Sequence, residues 1–288
     1  MTLNNLGLPV KPLRDVTEEE RQALATDGVV IVRGILPDEW IEPLRGAVDD
    51  LLAHPDYLER GSTPESAAVM GGTMVNGFMG WMLNDVFEAL ATHSPASEIA
   101  KQLLPGQSVQ YFYDQMFVKR PGVDSGTPWH RDRNYYAING KDFVSIWVPF
   151  DPVLSHETAL TYIKGSHLHE DVLDQSGNVI KGGHSPVGFF GEMDSEPEGV
   201  DTVSWDINIG DVVIHDLNTV HMGGFGRTNT ALRRAVALRY LGDDIRFNES
   251  LPGIPNMPEL LDRYRTRWPE FQMIDGQKYD SEAFPLVK

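Results

Sequence analysis

The pattern of apolar and polar positions at the start of the chain predicts a helix followed by a strand. Residues 17–26 begin with Thr17, a typical helix cap, and place acidic side chains in the first turn, where they favour the positive end of a helix. Asp27-Gly28 ends this helix, and the β-branched run 29–32 is typical of a buried strand. A second helix is predicted over 37–52.

Most of the later apolar segments are short and have the composition of strands. The segment 109–119 is rich in aromatic and β-branched residues and ends at Arg120-Pro121-Gly122, which indicates a strand leaving into a turn. Strands are predicted at 109–119, 143–150, 160–163, 201–207, 210–214 and 234–241. Many short strands separated by turns indicate a sandwich or barrel, here flanked by the early helices, and hence a β-rich α+β fold.

Two stretches lack a regular period and are predicted to be lid loops. Residues 61–80 are rich in Gly, Ser and Met, and residues 168–200 are polar and interrupted by Gly and Pro. Long loops of this kind commonly cover functional sites. Residues 257–267 are predicted to be helical. Because no repeat or linker interrupts the pattern, residues 1–288 are expected to form a single domain.

Charge and composition narrow the classes of partner. The 42 acidic and 24 basic residues give a net charge of -18, which repels nucleic acid and anionic lipid and favours a small-molecule substrate. The absence of cysteine excludes disulfides, thiolate metal sites and cysteine nucleophiles. With no long apolar run and no signal pattern at the start, a cytoplasmic protein is expected. The oligomeric state is not indicated.

The strongest chemical signal is the pair His130-x-Asp132. In an extended chain, residues i and i+2 project from the same face, so both side chains can reach one metal ion. A second histidine would complete a two-His, one-carboxylate face, which suits non-haem iron(II) and leaves positions open for other ligands. His221 is the best candidate because it follows a predicted turn and strand, where the chain changes direction. His215 is an alternative ligand, although its place inside that strand favours a structural histidine.

An arginine near the second histidine predicts a site for a carboxylate. Arg233 lies at the head of the strand that can return beside His221, and a guanidinium grips carboxylates through a rigid fork of donors. Adjacent strand residues point to opposite faces, so only one of Arg233 and Arg234 can enter the site, and we expect Arg233 to do so. Arg131, between the two metal ligands, is expected to point away from the metal.

Taken in order, His130-x-Asp132, His221 and Arg233 resemble the pattern of the phytanoyl-CoA dioxygenase family of iron(II)- and 2-oxoglutarate-dependent oxygenases. Flanking segments extend the resemblance over about 17–245. They are the helix-to-strand entry at 27–30, the segment 157–167, which is similar to the family's strand and Pro-Gly-Ser-His turn with Lys164 in place of the proline, and the Gly-Asp turn at 209–212.

The resemblance implies a fold and a set of roles. The core would be a double-stranded β-helix (jelly-roll, cupin-like). The catalytic iron would be bound by His130, Asp132 and His221, and Arg233 would hold the distal carboxylate of 2-oxoglutarate. Trp147 and Met116 would line the cosubstrate pocket. Gly223 stands where relatives often carry a serine that contacts the cosubstrate, and Gln115 or Thr161 is expected to compensate.

The implied reaction is oxidative, with dioxygen and 2-oxoglutarate consumed as a substrate loses hydrogen. Related halogenases carry a small residue at the position of Asp132, so this carboxylate favours hydroxylation or desaturation over chlorination. No cluster of basic residues is available for the phosphates of an acyl-CoA, which favours a natural-product intermediate or an amino-acid derivative as substrate. Two alternatives stay open. One is a cupin-type metal protein that acts without 2-oxoglutarate, and the other is a non-enzymatic jelly-roll binding protein. Trp129, Tyr135 and Tyr136 either shape a substrate pocket or simply pack.

Overall fold

The computed structural model describes residues 6–53, 74–122, 126–173, 179–181, 197–224, 227–251, 262, 264–279 and 281–287. Within them, helices α1 to α4 span Glu18–Asp27, Ile41–Ala53, Asp85–Thr92 and Pro95–Leu103. Strands β1 to β7 span Val29–Val32, Met74–Phe78, Gln110–Lys119, Ile138–Asn139, Phe143–Pro149, Thr161–Ile163 and Val172–Leu173. Strands β8 to β13 span Val179–Lys181, Thr202–Val203, Val212–Asp216, His221–Met222, Arg233–Leu241 and Arg246–Phe247.

The entry from α1 into β1 confirms the prediction from the sequence. Thr17 and Glu20 form a capping box, in which each side chain accepts a hydrogen bond from the backbone N–H of the other residue. Gly28 ends α1 with a φ of 76°, in the left-handed region that favours glycine. A Cβ at Gly28 would collide with the side chains of His167 and Thr219, so this turn packs directly on the chain near the predicted metal site.

Two facing antiparallel sheets form the jelly-roll core that was predicted. The larger sheet has the order β1-β10-β5-β12-β3-β2, and the smaller has the order β11-β6-β9. Trp147 and Ala235 of the larger sheet share one apolar cluster with Tyr162 of the smaller sheet, so these residues fill the space between the sheets. A bridge between His130 and His221 adds the segment before Asp132 to the edge of the smaller sheet.

The larger sheet is buried on both faces. Its outer face carries Met116, Ile146 and Val236, which belong to the same cluster as Leu44 of α2 and Leu90 of α3. Every residue of β5 is buried as a result. Burial on both faces removes the alternation of apolar and polar residues that would otherwise tell the inner face from the outer.

Three predicted segments need correction or lie outside the described residues. Most of the predicted lid at 61–80 lies outside, and the prediction of a loop is wrong for Met74–Phe78, which pairs with β3 as an edge strand. The predicted lid at 168–200 contains the pair β7 and β8, and its residues 182–196 lie outside the described ranges. Of the helix predicted at 257–267, residues 264–267 are helical and 257–261 lie outside.

None of the helices in these described ranges is long and apolar enough to cross a membrane.

Candidate metal centre and cosubstrate pocket

Backbone pairing brings the two predicted histidine ligands together. The N–H of each of His130 and His221 donates to the carbonyl of the other at 2.9 Å, so the residues lie directly opposite each other. Their rings consequently lie on the same side of the sheet, with centroids 4.2 Å apart. Asp132 follows at the start of a 3-10 turn over Asp132–Tyr135, after an extended Arg131. The extended link keeps Asp132 on the face of His130, as predicted.

The three side chains form a compact donor set. One ligand atom from each of His130, Asp132 and His221 lies within 4.8 Å of the others. The Oδ1 of Asp132 is 3.4 Å from Nε2 of His130 and 3.8 Å from Nε2 of His221. All three residues are buried. Two imidazoles and one carboxylate are the donors expected for a non-haem iron(II) ion, so the set fits that metal.

The backbone orients both imidazoles toward the same point. The Nδ1 of His130 lies 2.7 Å from the carbonyl of Pro128, and Nδ1 of His221 lies 3.0 Å from the carbonyl of Thr219. A carbonyl can only accept a hydrogen bond, which places the ring proton on Nδ1 and leaves the lone pair of Nε2 for a metal.

The charge state of the site also suits a cation. Burial alone would raise the pKa of Asp132, but the charge of Arg239 and the neighbouring imidazoles of His130 and His215 hold it well below its usual range. Burial, together with the charges of His130 and His215, lowers the pKa of His221 well below its usual value. The site therefore presents an ionised carboxylate and a neutral imidazole, which are the forms that bind metal.

His215 lies behind the carboxylate. Its Nε2 is 3.7 Å from Oδ2 of Asp132, the oxygen that faces away from the two ligand histidines, and its Nδ1 is 3.3 Å from the hydroxyl of Tyr162. Burial lowers the pKa of His215. The three-residue donor set does not include His215, in agreement with the preference for a structural histidine at this position.

Arg239 is a residue of the site that was not predicted. It lies on β12, is 3% exposed, and directs both Nε and Nη2 at Oδ2 of Asp132, at 3.1 and 2.9 Å. A signal for it exists in the sequence, since Arg239 is a lone charge between Leu238 and Tyr240. Its separation from Arg233 by an even number of residues also places the two on one face of the strand.

Arg233 and Arg234 point to opposite sides of β12. Arg234 binds Asp151 through Nε and Nη2 at 2.9 and 2.8 Å. Arg233 is 4% exposed, and its guanidinium lies 5.6 Å from the ring centroid of Trp147. Its Nε has no hydrogen-bond partner, and no salt bridge joins Arg233 to a carboxylate within the described part of the chain.

Packing on Trp147 puts the guanidinium of Arg233 on the inner face of the larger sheet, the face that also carries Arg239. Trp147 is the cross-strand partner of Ala237, which lies two residues from Arg239. Burial lowers the pKa of Arg233 to about 10, against the opposing effect of the Asp151 charge, so Arg233 is still a cation at neutral pH. A buried cation that has no carboxylate partner among the described residues is suited to bind the distal carboxylate of 2-oxoglutarate.

The other predicted pocket residues divide between the two faces of their strands. Gln115 joins the site, since its Oε1 accepts a hydrogen bond from Nη2 of Arg239 at 3.2 Å. Met116 points the other way, into the core beneath the helices, so the structure does not place it in the cosubstrate pocket. Thr161 pairs with Met222, whose side chain packs on the face opposite to His221, and it too lies away from the metal. Alternation along each strand separates such neighbours.

Thr127 lies beside Gly223, so a hydroxyl is present near the position where relatives often carry a serine. A Cβ built on Gly223 would lie 3.1 Å from Oγ1 of Thr127. The carbonyl of Gly223 accepts a hydrogen bond from Nζ of the fully buried Lys119 at 2.9 Å, and Lys119 is the cross-strand partner of Arg233. Thr127 and Lys119 were not predicted, and they place a hydroxyl and an amino group beside Gly223.

The residues around the His-x-Asp segment have different surroundings. Trp129 packs with Ile163 and Met222 on the outer face of the smaller sheet. The ring of the half-buried Tyr135 lies 5.9 Å from that of His130, whereas Tyr136 shares a hydrogen bond with the hydroxyl of Tyr113. Arg131 points away from the metal, as expected, and donates to the backbone carbonyls of Ser166, His169 and Glu170.

Comparisons with known proteins agree with this site. A family model described as phytanoyl-CoA dioxygenase matches residues 24–235, a range that includes the three candidate ligands and Arg233. A relative named Dioxygenase aneA, from Aspergillus aculeatus, is 24% identical over 243 residues, which are 81% of this chain and 75% of the relative.

Solved structures share the fold over most of the chain. The carbocyclase SnoK from nogalamycin biosynthesis, described as non-haem and α-ketoglutarate-dependent, superposes with a TM-score of 0.73 at 20% identity, over 95% of this chain and 97% of that one. EctD from S. alaskensis, solved with 2-oxoglutarate and 5-hydroxyectoine, gives a TM-score of 0.63 at 19% identity, over 85% of this chain and 87% of that one. These likenesses establish the jelly-roll fold.

Proposed function

The chain belongs to the phytanoyl-CoA dioxygenase family, and from this we propose that it uses iron(II), 2-oxoglutarate and dioxygen to hydroxylate or desaturate a small organic molecule. The observation that carries the proposal is that the donor set of His130, Asp132 and His221 and the buried cation Arg233 both face the space between the sheets, and that Arg233 has no carboxylate partner among the described residues. A metal protein that works without 2-oxoglutarate would not account for the buried Arg233. A non-enzymatic binding protein would account for neither the metal-binding donor set nor Arg233.

Iron(II), when bound, supplies the redox chemistry that activates dioxygen. The protein supplies geometry and charge. Nε2 of His130, Nε2 of His221 and Oδ1 of Asp132 would hold one face of the ion and leave the rest for exchangeable ligands. The guanidinium of Arg233 would bind the distal carboxylate of the cosubstrate, with Trp147 as an apolar wall and the hydroxyl of Thr127 in the place of the family's serine.

The described surroundings of the site support a small substrate with an apolar or aromatic part. Tyr135 is half-buried beside the ligand His130, so it can contact a molecule that approaches the metal. The net charge of -18 disfavours a substrate that carries several phosphates, such as an acyl-CoA. A natural-product intermediate or an amino-acid derivative, with dioxygen as the other partner, fits these constraints.

An anaerobic titration followed by an aerobic assay tests the proposal. Addition of 2-oxoglutarate to the protein loaded with iron(II) should produce a visible charge-transfer band. Exposure to air with a panel of candidate substrates should then produce succinate. The matched control is His130→Ala, which should give neither signal. Absence of the band from the wild-type protein, together with absence of succinate for every substrate, would refute the proposal.

The alternative of a cupin centre that works without 2-oxoglutarate predicts a different result. It requires a product to form under air with iron(II) alone, at a rate that does not change when 2-oxoglutarate is added. The same panel, run with and without the cosubstrate, separates the two reactions.

A further inference from the structure

Arg239 controls how Asp132 presents its two oxygens. The guanidinium places both Nε and Nη2 on the single atom Oδ2, while Oδ1 faces the Nε2 atoms of His130 and His221 at 3.4 and 3.8 Å. A carboxylate that binds a metal through both oxygens must turn both toward the ion. Here one oxygen is engaged by two charge-assisted hydrogen bonds, so Asp132 has one oxygen left for the metal.

The position of Arg239 is fixed from several sides. Its guanidinium lies 4.7 Å from the ring centroid of Tyr113 and 5.9 Å from that of Tyr136, and Nη2 also donates to Oε1 of Gln115. Its backbone pairs with Tyr113 on β3 and with Ser145 on β5, so the side chain is attached to a central strand of the larger sheet. Burial, aromatic faces and hydrogen bonds restrict the orientation of the guanidinium.

Asp132 needs such a support because its own backbone is less constrained than that of the histidines. His130 and His221 are held by a mutual pair of backbone hydrogen bonds and by ring contacts with Pro128 and Thr219. Asp132 begins a short 3-10 turn, in which regular sheet hydrogen bonds are absent. The long-range contact with Arg239, which lies 107 residues further along the chain, therefore connects the turn to the rigid sheet.

We propose that Arg239 is a positioning residue of the metal centre, which holds Asp132 as a one-oxygen ligand and so keeps the remaining metal positions open for 2-oxoglutarate and dioxygen. This inference rests on the proposed function and adds a residue that the resemblance to the family did not supply. It also gives the lone charge in the middle of β12 a role in the site, where burial of an arginine needs a compensating partner.

The experiment measures the binding of Co(II) chloride to the metal-free protein, without 2-oxoglutarate, by the visible absorption of the bound ion. The variants are Arg239→Met, which removes the cation, and Arg239→Lys, which keeps a charge but loses the fork. Both should raise the Kd for Co(II) by about 10-fold to 100-fold, as expected when the residue that orients a metal ligand is lost. Both should also alter the intensity of the absorption band, because the number of oxygens on the ion changes.

The matched control is Arg234→Met, which removes an arginine and aspartate pair from the same strand on the other face. It should leave the Kd and the spectrum unchanged. If Arg239→Met does not fold, by circular dichroism, Arg239→Lys decides, since it leaves Asp132 opposite a cation. If neither variant folds, Gln115→Met decides, because it loosens Arg239 without touching Asp132 and should raise the Kd by a few fold.

Two outcomes overturn the inference. Arg239 has no positioning role if the deciding variant is folded and binds Co(II) with the affinity and spectrum of the wild type. Tighter binding by Arg239→Met would show that Arg239 only opposes the metal through its charge. Failure of the wild type itself to bind Co(II) would instead refute the proposed function, so the two failures are distinguishable.

Discussion

Two arginine and aspartate pairs lie on the same strand of this protein and use the same hydrogen-bonding edge. Arg234 binds Asp151 at the edge of the core, where Arg45 of α2 adds a second contact, at 3.0 Å. Arg239 binds Asp132 in the space between the sheets. Both oxygens of Asp151 accept hydrogen bonds from arginines, whereas Oδ1 of Asp132 faces the two histidines. The oxygen left free on Asp132 distinguishes the pair that stabilises the fold from the pair that we propose supports a metal.

Loss of the carboxylate charge should separate the two pairs most strongly. Asp132→Asn should abolish detectable succinate formation and weaken metal binding by more than about 100-fold, because a ligand is affected as well as its support. Asp151→Asn should leave turnover unchanged. Metal titration and a succinate assay on the two variants check this, and comparable activity in both would contradict the assignment of Asp132 as a ligand.

Replacement of Arg233 and of its neighbour Arg234 should affect the requirement for 2-oxoglutarate differently. Arg233→Ala should raise the concentration of 2-oxoglutarate needed for half-maximal turnover by about 10-fold to 100-fold, since a hydrogen bond to a charged group contributes about 1.5–3 kcal/mol. Arg234→Ala, on the opposite face, should leave that concentration unchanged. Steady-state assays at varied 2-oxoglutarate decide the matter. An unaltered requirement in the Arg233 variant would favour a metal centre that does not use the cosubstrate.

The structural pair should reveal itself through the dependence of stability on pH. Burial would raise the pKa of Asp151, but hydrogen bonds and charge from Arg234, with the charge of Arg45, lower it overall. The contribution of a carboxylate with a lowered pKa is complete above its unfolded pKa, about 3.9, and is lost as the pH falls through the folded value. Asp151→Asn should therefore cost about 1.5–3 kcal/mol near neutral pH and less below about pH 4.

Chemical denaturation of the wild type and Asp151→Asn over this pH range measures the difference. A difference that grows as the solution becomes more acidic would reverse the expected sign and would show that the pair does not favour the ionised carboxylate.

The smallest expected effect concerns the hydroxyl of Thr127. Thr127→Val keeps the shape of the side chain beside Gly223 but removes the donor. If the hydroxyl contacts the cosubstrate, the Kd for 2-oxoglutarate should rise by a few fold, in line with about 0.5–1.5 kcal/mol for a neutral hydrogen bond. Anaerobic titration of the variant loaded with iron(II) tests this, and an unchanged Kd would leave Arg233 as the main anchor.

The three residues of the candidate metal centre could be selected from the sequence because their chemistry is local. Each of His130, Asp132 and His221 is a polar residue with few structural reasons to occur in such a setting, and their order along the chain matches a known pattern. The helix α1 was likewise predictable from its own cap at Thr17. Helices α3 and α4 were not predicted, although Asn84 and the Ser94-Pro95 pair carry the same kind of capping signal.

The pocket walls were harder to predict because the central strands are buried on both faces. Gln115 and Met116 are neighbours on β3, and only the side chain of Gln115 enters the site. Thr161 was misplaced in the same way. Where both faces of a sheet are covered, hydrophobicity does not alternate and the inner face cannot be read from the sequence. A charge within such a strand is the exception, and Arg239 is an example.

The turn at Gly28 connects the N-terminal region to the candidate metal centre. The carbonyl of Gly28 accepts hydrogen bonds from the hydroxyl of Thr219 and from the N–H of Asp216, and the carbonyl of Thr219 in turn orients Nδ1 of His221. The turn at Gly28 thus supports the candidate ligand His221, which lies far from it in sequence. Proteolytic removal of α1 and its turn would remove the contact that holds Thr219, and with it part of the support of His221, while leaving all three donor residues in the polypeptide.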